Sequence, residues 1–550
     1  MASARALLTA AVFVFLAAPP LAGQVGGTTD IIMGQVLGPD STALAGARVE
    51  VVSQETGVTR RAVTNSDGRY TVVFPNGGGV YALSITYLGM APVTRNVTRQ
   101  GDEDRLVADA IMGRVATQLA TVEVLARQRP QTQLQPPGAG STERNLPAAA
   151  VARLPIDAGD LNALATLAPG VIGVPGTDST RASFSVAGQS PDQNNITLDG
   201  LSFGSGSVPQ EAIRGTRVVT STYDVARGQF TGGQVTSTTR GGTNQFQGTV
   251  NYSMRDPSLE FVDNPDGFTQ KYRQNQLSLG FGGPLVRNRL FGFGAFQWNR
   301  RTDDVLSLIA ADPLTLQRLG ANPDSVSRFI GLLNQFSLPP LLAARDGRRV
   351  ADNGSALLRL DYNVSDAHTL MLRGDWRLIS QEPSRISPTS VPHSGGDSRS
   401  TGNGGMLQLT STFGSFINEL RAYASGEDRD VTSYLNVPDG RVLVASVLED
   451  GTRSVSTLTF GGNPSLPQET RSSLFELSDE ISLLSRRGGH RYKLGALINE
   501  ERSSVGFIPN RWGTFTFNSL AEFEAGEAAT FTRTLFANDR RSAARNLALY

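Results

Sequence analysis

Residues 356–377 read ALLRLDYNVSDAHTLMLRGDWR, and this stretch decides the fold class. One set of alternate positions is mostly apolar or aromatic: Ala356, Leu358, Leu360, Tyr362, Leu370, Leu372 and Trp376. The positions between them carry charge, including Arg359, Asp361 and Arg373. A period of two is the signature of a β-strand whose two faces meet different surroundings. The short turn 364–366 therefore predicts two antiparallel strands that share one apolar and one polar face.

Similar runs follow one another from residue 245 to the last residue. The predicted strands are 245–255, 273–284, 288–301, 353–363, 367–379, 404–414, 416–430, 471–485 and 488–501, with a tenth starting near 545. Their connections alternate between short and long, and each run is long enough to cross a bilayer when tilted. Tight periplasmic turns and long extracellular loops are typical of outer-membrane barrels. The pattern predicts an antiparallel transmembrane β-barrel over residues 244–550.

The barrel predicted from these runs is incomplete. A barrel wide enough to hold an internal domain has about 22 strands, and an unpaired strand edge is unfavourable in lipid. The segment 546–550 (NLALY) reads as the start of another strand. We expect the natural sequence to continue beyond Tyr550.

The N-terminal 112 residues predict an exported β-sandwich. Residues 1–23 combine Arg5, an apolar run and small residues before Gln24, as in a cleaved signal peptide, and the run is too short for a spanning helix. Short β-branched or aromatic runs then alternate with turn residues over 29–112: 31–36, 47–52, 59–64, 70–74 and 81–87. Even spacing of this kind predicts a small all-β sandwich. Residues 65–68 (NSDG) predict a tight hairpin turn.

Residues 113–145 predict a connecting segment. Residues 127–145 are rich in Pro, Gln, Gly and Ser, which is typical of a flexible linker. The stretch 119–126 (LATVEVLA) before it has an extended character. It is either the last strand of the sandwich or a peptide that pairs with a partner by strand addition.

An α+β domain is predicted between the linker and the barrel, over residues 146–243. Short strands are expected at 185–187 and 195–198, and a helix at 160–167 that begins near Asp157 or Asp160. Glycines at 228, 232, 233, 241 and 242 allow the backbone to lie close to a surrounding wall. Buried charges in such a domain need partners on that wall. Candidates for these ion pairs are Arg217, Arg227 and Arg240, unless they are solvated surface charges.

Two series of motifs resemble known families. The strings 34–36 (GQV), 46–49 (GARV) and 64–70 (TNSDGRY) resemble the carboxypeptidase regulatory-like domain, a transthyretin-like or Ig-like accessory domain. The ordered series 167–171 (LAPGV), 184–188 (FSVAG), 195–200 (NITLDG), 227–236 (RGQFTGGQVT) and 239–244 (TRGGTN) is similar to the plug domain of Oar-like TonB-dependent receptors. The segment 282–294 resembles the turn between the second and third strands of their barrels.

The resemblance implies a set of site residues. The plug motif comprises Asn195, Leu198, Asp199, Gly200, Arg227, Gly228, Gly232, Gly233, Arg240 and Gly242. The peptide at Thr121, Val122, Glu123 and Val124 would be the TonB box, which contacts a TonB-type energy-coupling protein in the periplasm. The fold class expected is mainly β: a sandwich, an α+β plug and an incomplete barrel in the cell outer membrane.

Composition limits the alternatives. Fifty Lys and Arg residues balance fifty Asp and Glu residues without a charge block, so no nucleic-acid partner is indicated. The absence of cysteine excludes disulfides and thiol chemistry, and the three histidines have no metal-ligand spacing. We expect no cofactor, no metal and no enzymatic activity. Two hypotheses are active uptake of an unidentified substrate and a surface adhesion or assembly role that uses the same barrel without transport.

Overall fold

The computed structural model describes most of the chain after the predicted signal peptide. The described residues are 29–75, 77, 79–99, 105–114, 143–147, 151, 159–174, 183–204, 207–220, 232–259, 272–338, 347–414, 416–449, 451–484, 491–536 and 540–550. The predicted signal peptide 1–23, the peptide 119–126 and most of the linker lie outside them.

The N-terminal unit, here called the sandwich, comprises residues 29–114. Its strands are β1 (Asp30–Leu37), β2 (Arg48–Ser53), β3 (Thr59–Val63), β4 (Arg69–Phe74), β5 (Val80–Thr86), β6 (Val93–Thr98), β7 (Arg105–Val107) and β8 (Ala110–Ile111). One sheet has the order β4-β1-β7 with β8 also on β1, and the other has the order β3-β2-β5-β6. Ile32, Val49 and Ile85 are fully buried between the sheets. The predicted sandwich is confirmed.

The predicted hairpin at residues 65–68 is wrong in one respect. The turn is tight: the N–H of Gly68 donates to the carbonyl of Asn65 at 2.9 Å, and Gly68 has φ +69°. However, β3 and β4 belong to different sheets. The turn therefore carries the chain from one layer to the other, because the partners of both strands lie elsewhere in the sequence.

The second unit, here called the inner domain, comprises the described residues between 143 and 243. Its elements are β9 (Glu143–Pro147), α1 (Leu161–Ala165), β10 (Val171–Val174), β11 (Ser183–Val186), β12 (Asn195–Leu198), β13 (Leu201–Ser202), β14 (Ile213–Val219) and β15 (Gln234–Thr239). A mixed sheet has the order β13-β12-β15-β14-β9, and β10 pairs with β11. The predicted helix is confirmed, with Asp160 as its N-cap.

The third unit, here called the wall, is one antiparallel sheet of ten strands. In spatial order they are β16 (Gln247–Arg255), β17 (Tyr272–Val286), β18 (Leu290–Asp304), β19 (Arg348–Asn363), β20 (His368–Ser384), β21 (Gly396–Phe413), β22 (Phe416–Val431), β25 (Gln468–Leu484), β26 (Arg491–Phe507) and β29 (Arg540–Leu549). All ten were predicted from the alternating pattern. Several extend further toward the long connections than predicted.

The two faces of the wall differ as the sequence predicts. Arg359, Arg373 and Glu476 are at most 4% exposed on the concave face. The convex face is an apolar belt, and its exposed residues include Leu279, Phe296, Leu358, Leu372, Leu407, Phe475 and Leu494. A belt of this kind on a sheet whose backbone is hydrogen-bonded between strands matches a lipid-facing surface.

The long connections form a further folded unit that the sequence did not predict. It contains α2 (Pro313–Arg318), α3 (Pro323–Gln335), β23 (Asp439–Val447), β24 (Arg453–Gly461), β27 (Thr514–Phe517), α4 (Leu520–Ala525) and β28 (Thr530–Thr532). Phe329, Val442 and Leu458 are buried in its own apolar core. Among the described helices, none is both long enough and apolar enough to cross a membrane.

A charge on the convex face tests its contact with lipid. Leu358 is 50% exposed in the middle of the apolar belt. Leu358→Arg is expected to destabilise the folded protein by about 2–4 kcal/mol, because the guanidinium must enter hydrocarbon. Urea unfolding in lipid vesicles measures this change. Leu314→Arg, at a half-exposed position of α2 in the long connections, is the control and should have little effect.

Candidate functional site

A cluster of buried charges lies between the inner domain and the wall. It begins at the turn between β12 and β13, where Asp199 and Gly200 have φ +53° and +90°. This backbone conformation directs the Asp199 carboxylate toward β15. Its Oδ1 accepts the N–H of Thr239 at 2.8 Å, and its Oδ2 accepts the Thr239 hydroxyl at 2.8 Å. The turn is thereby held against the neighbouring strand of the inner domain.

Two arginines of the wall complete the cluster around Asp199. Arg373 of β20 donates from Nη1 to Oδ2 of Asp199 at 2.6 Å. Arg359 of β19 places Nη1 at 3.7 Å from Oδ1 of Asp199 and donates to the Thr239 hydroxyl at 2.6 Å. Arg359 also forms a 2.8 Å ion pair with Asp361. We call Asp199, Arg359, Arg373 and Thr239 the charge clamp.

Electrostatics in the clamp favour the ionised carboxylate. Asp199 is 4% exposed, and burial alone raises the pKa of a carboxyl group. Arg373, Arg359 and the Thr239 hydrogen bonds outweigh burial, so the pKa of Asp199 lies below its usual value. Removing one partner from such a cluster leaves a buried charge uncompensated, which is strongly destabilising. The clamp therefore fixes the inner domain in one position.

Other contacts between the inner domain and the wall are weaker and more numerous. The N–H of Ser202 donates to Glu476 at 3.3 Å, and the N–H of Gln210 donates to Gln297 at 2.8 Å. Apolar side chains of the wall also complete the core of the inner domain: Met371, Met406 and Tyr423. The inner domain therefore has no closed core of its own.

The glycines divide into two groups. A Cβ on Gly242 would lie 2.4 Å from Cβ of Phe291 in β18, and one on Gly241 would lie 2.9 Å from the Asp361 carboxylate. These two positions confirm the predicted close approach to the wall. Gly232 and Gly233 instead lie against the inner domain itself, where the added atom would meet residues such as Asn194 and Val186.

The remaining predicted residues are placed as follows. The N–H of Asn195 donates to the carbonyl of Gly233, which joins β12 to β15. Leu198 is fully buried in the inner-domain core. Arg240 donates from Nε to the carbonyl of Ile213 at 3.0 Å, so this contact stays within the inner domain. Arg227 and Gly228 lie outside the described residues.

In the described clamp, the two units carry charges opposite in sign to those predicted. The sequence pointed to arginines of the inner domain, namely Arg217, Arg227 and Arg240, as partners of the wall. In the clamp the carboxylate belongs to the inner domain and the arginines belong to the wall. Arg359 and Arg373 were already visible at alternate positions of the opening stretch, but only the tertiary structure brings them to Asp199.

A cavity of about 790 Å³ lies above the clamp, between the inner domain and the long-connection end of the wall. Residues of the inner domain form its floor, among them Asn194, Phe203 and Val208. Its wall side carries four carboxylates and two guanidiniums: Asp375, Glu427, Glu476, Glu501, Arg377 and Arg429. Arg377 and Glu427 are paired at 2.6 Å. Among the described residues, no cluster of His, Asp or Glu side chains is arranged to hold a metal ion.

Comparison with known proteins agrees with this architecture. Residues 31–112 match the carboxypeptidase regulatory-like domain, and residues 238–338 and 342–550 match the outer membrane beta barrel domain. The chain is 30% identical over 137 residues to the TonB-dependent transporter Oar of Myxococcus xanthus, an alignment that covers 22% of this chain and 13% of that protein.

Solved structures of outer-membrane proteins align with the chain at low identity. The outer membrane transporter YddB from Escherichia coli aligns with a TM-score of 0.51 and 13% identity over 74% of this chain and 53% of that chain. The siderophore receptor PirA from Acinetobacter baumannii aligns with a TM-score of 0.42 and 15% identity over 67% of this chain and 48% of that chain. The chain thus spans about half the length of these receptors.

The chain belongs to the outer membrane β-barrel family, whose model matches more than half of its residues. It carries an N-terminal carboxypeptidase regulatory-like domain, it is similar to the TonB-dependent transporter Oar, and it is located in the outer membrane. The relatives are transporters and receptors rather than enzymes.

Neutralising the carboxylate tests the clamp. Asp199→Asn removes the negative charge between Arg359 and Arg373. We expect the free energy of unfolding of the inner domain to fall by about 3–5 kcal/mol, because two buried guanidiniums lose a shared partner. Protease digestion of the purified receptor in a urea series measures this. Asp192→Asn, at an exposed position of the same domain, is the control and should leave the digestion midpoint unchanged.

The clamp also predicts an acid dependence. Because the folded-state pKa of Asp199 is depressed, its stabilisation is fully present above the unfolded-state value of about 4. It is lost as the pH falls through the lower folded-state pKa. Digestion of the inner domain should therefore accelerate only in this acidic window, and this component should be missing in Asp199→Asn. An acceleration between pH 6 and 8 would contradict the assignment.

Proposed function

We propose that this receptor actively imports a substrate across the outer membrane, with the inner domain acting as its plug. The charge clamp carries this proposal. A domain that occupies the concave face of a membrane wall blocks the path through it, and transport requires that the domain move or rearrange. The clamp joins this domain to the wall by side chains rather than by a shared sheet, so the two can separate without breaking strand pairing.

The residues 146–243 assigned to the plug are consistent with a movable element. The core of the plug is completed by Met371, Met406 and Tyr423 of the wall. A domain whose core is closed by another surface is well held in place, yet it loses stability when that surface is withdrawn. Movement of the plug is therefore costly and needs an external source of energy.

That source is a TonB-type coupling protein in the periplasm, as for the family in general. The proposed contact is the peptide at Thr121, Val122, Glu123 and Val124, which lies between the sandwich and the plug in the sequence. Pairing by strand addition relies on backbone hydrogen bonds. A pull on this peptide is transmitted through the linker to the first strand of the plug, β9.

The cavity above the clamp is the proposed substrate site. It lies toward the long connections, between the plug and the wall. A substrate held there touches the element that must move, so binding and movement are coupled through shared contacts. The mixture of carboxylates, guanidiniums, amides and the rings of Phe203 and Tyr423 suits a polar substrate with some apolar surface.

Loss of the coupling peptide tests the proposal. A chromosomal deletion of residues 119–126 is expected to abolish uptake while the receptor stays in the outer membrane and still binds substrate at the surface. The measurement compares compounds that disappear from the growth medium, by mass spectrometry, among the parent, the gene deletion and the peptide deletion. Compounds that only the parent depletes identify the substrate.

A deletion of equal length in the linker, residues 130–137, is the matched control and should retain depletion. Equal depletion by all three strains contradicts active uptake. A defect in surface attachment with unchanged depletion would instead support the adhesion or assembly role.

A further inference from the structure

The sandwich is seated on the short-turn end of the wall. The wall residues that it contacts lie within a few positions of a short connection: Phe291, Asn363, Thr369, Ile417 and Glu419. Short turns of this barrel class face the periplasm. The sandwich therefore covers the side of the lumen through which an imported substrate must leave.

Apolar contacts form part of the interface between the sandwich and the wall. Phe291 of β18 is 2% exposed and belongs to the same buried cluster as the core of the sandwich. Ile31 and Val73 of the sandwich form a second cluster with Ile417 of β22. Both Ile31 and Ile417 are at most 2% exposed. The docked sandwich therefore takes part in burying these side chains.

A buried arginine forms the polar part of the interface between the sandwich and the wall. Arg60 of β3 donates from Nη2 to Asn363 at 2.7 Å and to Thr369 at 2.6 Å. It is 7% exposed, and burial lowers its pKa to about 10 despite Asp366 and Asp361 nearby. The guanidinium stays charged at neutral pH, and its hydrogen bonds go to neutral groups. Hydrogen bonds from a guanidinium to neutral acceptors stabilise the docked state, but less than an ion pair with a carboxylate would.

The sandwich also touches the junction between the inner domain and the wall. Glu55 forms a 2.6 Å ion pair with Arg214 of β14. Asn244, just before β16, donates from its backbone N–H to the carbonyl of Thr56 at 2.9 Å and from Nδ2 to that of Gly57 at 2.7 Å. A cavity of about 430 Å³ remains among the three units. Permanent interfaces are packed as densely as protein cores, whereas this cavity leaves part of the junction unfilled.

We propose that the sandwich is a periplasmic gate: it is docked on the short-turn end of the wall through Arg60, Phe291 and Ile417, and it must undock for substrate to leave the lumen. The inference rests on the proposed import function. It adds a second barrier below the plug, on the same chain and next to the peptide proposed for coupling. One pull on that peptide can then displace the gate on one side and the plug on the other.

A disulfide tests the docked position. A Cβ placed on Gly57 lies 3.5 Å from Cβ of Asn244, within the range for a disulfide, and the chain has no native cysteine. Gly57→Cys with Asn244→Cys in the receptor in outer-membrane preparations is expected to cross-link without reductant, seen as a shift on non-reducing gels. Gly89→Cys with Asn244→Cys is the matched control, because Gly89 also has a left-handed φ but has no neighbour within 4 Å. Equal cross-linking in both pairs, or in neither, overturns the docked gate.

The cross-linked receptor then tests the gating step. With the disulfide formed, depletion of the substrate found in the parent strain should fall at least about tenfold, and a reductant should restore it. Undiminished depletion by the cross-linked receptor overturns the gate. Failure of import itself is distinguishable, because the parent strain would then show no depletion in the first place.

Accessibility of a buried thiol tests undocking without any substrate. Ile417→Cys should react slowly with a small charged maleimide in the purified receptor. Adding Arg60→Ala, which removes two buried hydrogen bonds of a charged group, should accelerate labelling by about tenfold. Arg61→Ala is the matched control, because Arg61 is exposed and pairs with Glu50 inside the sandwich. Unchanged labelling with Arg60→Ala overturns the assigned role of Arg60 in holding the gate.

Discussion

The membrane wall depends on one constraint: backbone N–H and C=O groups at membrane depth must form hydrogen bonds between strands, since hydrocarbon offers no partner. A sheet that meets this constraint has a convex face for lipid and a concave face for polar groups. Leu358 and Leu372 point outward, whereas Arg359 and Arg373, their neighbours in the sequence, point inward. The polar concave face in turn makes it possible to hold a separate domain by charge.

Three elements follow one another along the concave face. The cavity lies toward the long connections, the charge clamp lies in the middle, and the sandwich covers the short-turn end. The inner domain and the sandwich are each joined to the wall by side chains, while the described strands of the wall pair only with one another. This separation of roles lets the wall remain rigid while the elements it holds change position.

The clamp and the interface between the sandwich and the wall differ in strength for a physical reason. Asp199 has two guanidiniums and two hydrogen bonds from Thr239, so its charge is well compensated after burial. Arg60 is buried against an amide and a hydroxyl. A compensated charge resists separation more strongly than one with neutral partners. The sandwich is therefore expected to leave the wall before the plug does.

The sequence by itself determined the elements whose signal is local. Alternation at residues 356–377 predicted both strands and which side chains face lipid, because strand side chains alternate between faces. Asp157 and Asp160 were the two candidates for the start of α1, of which Asp160 is the N-cap, and the order of short and long connections predicted the ten-strand sheet. Only the tertiary structure decided what depends on distant partners. It paired Asp199 with Arg359 and Arg373 and placed Arg60 against Asn363, because these contacts join residues more than 100 positions apart. It also folded the long connections into a unit with its own core, because that core combines segments from separate connections.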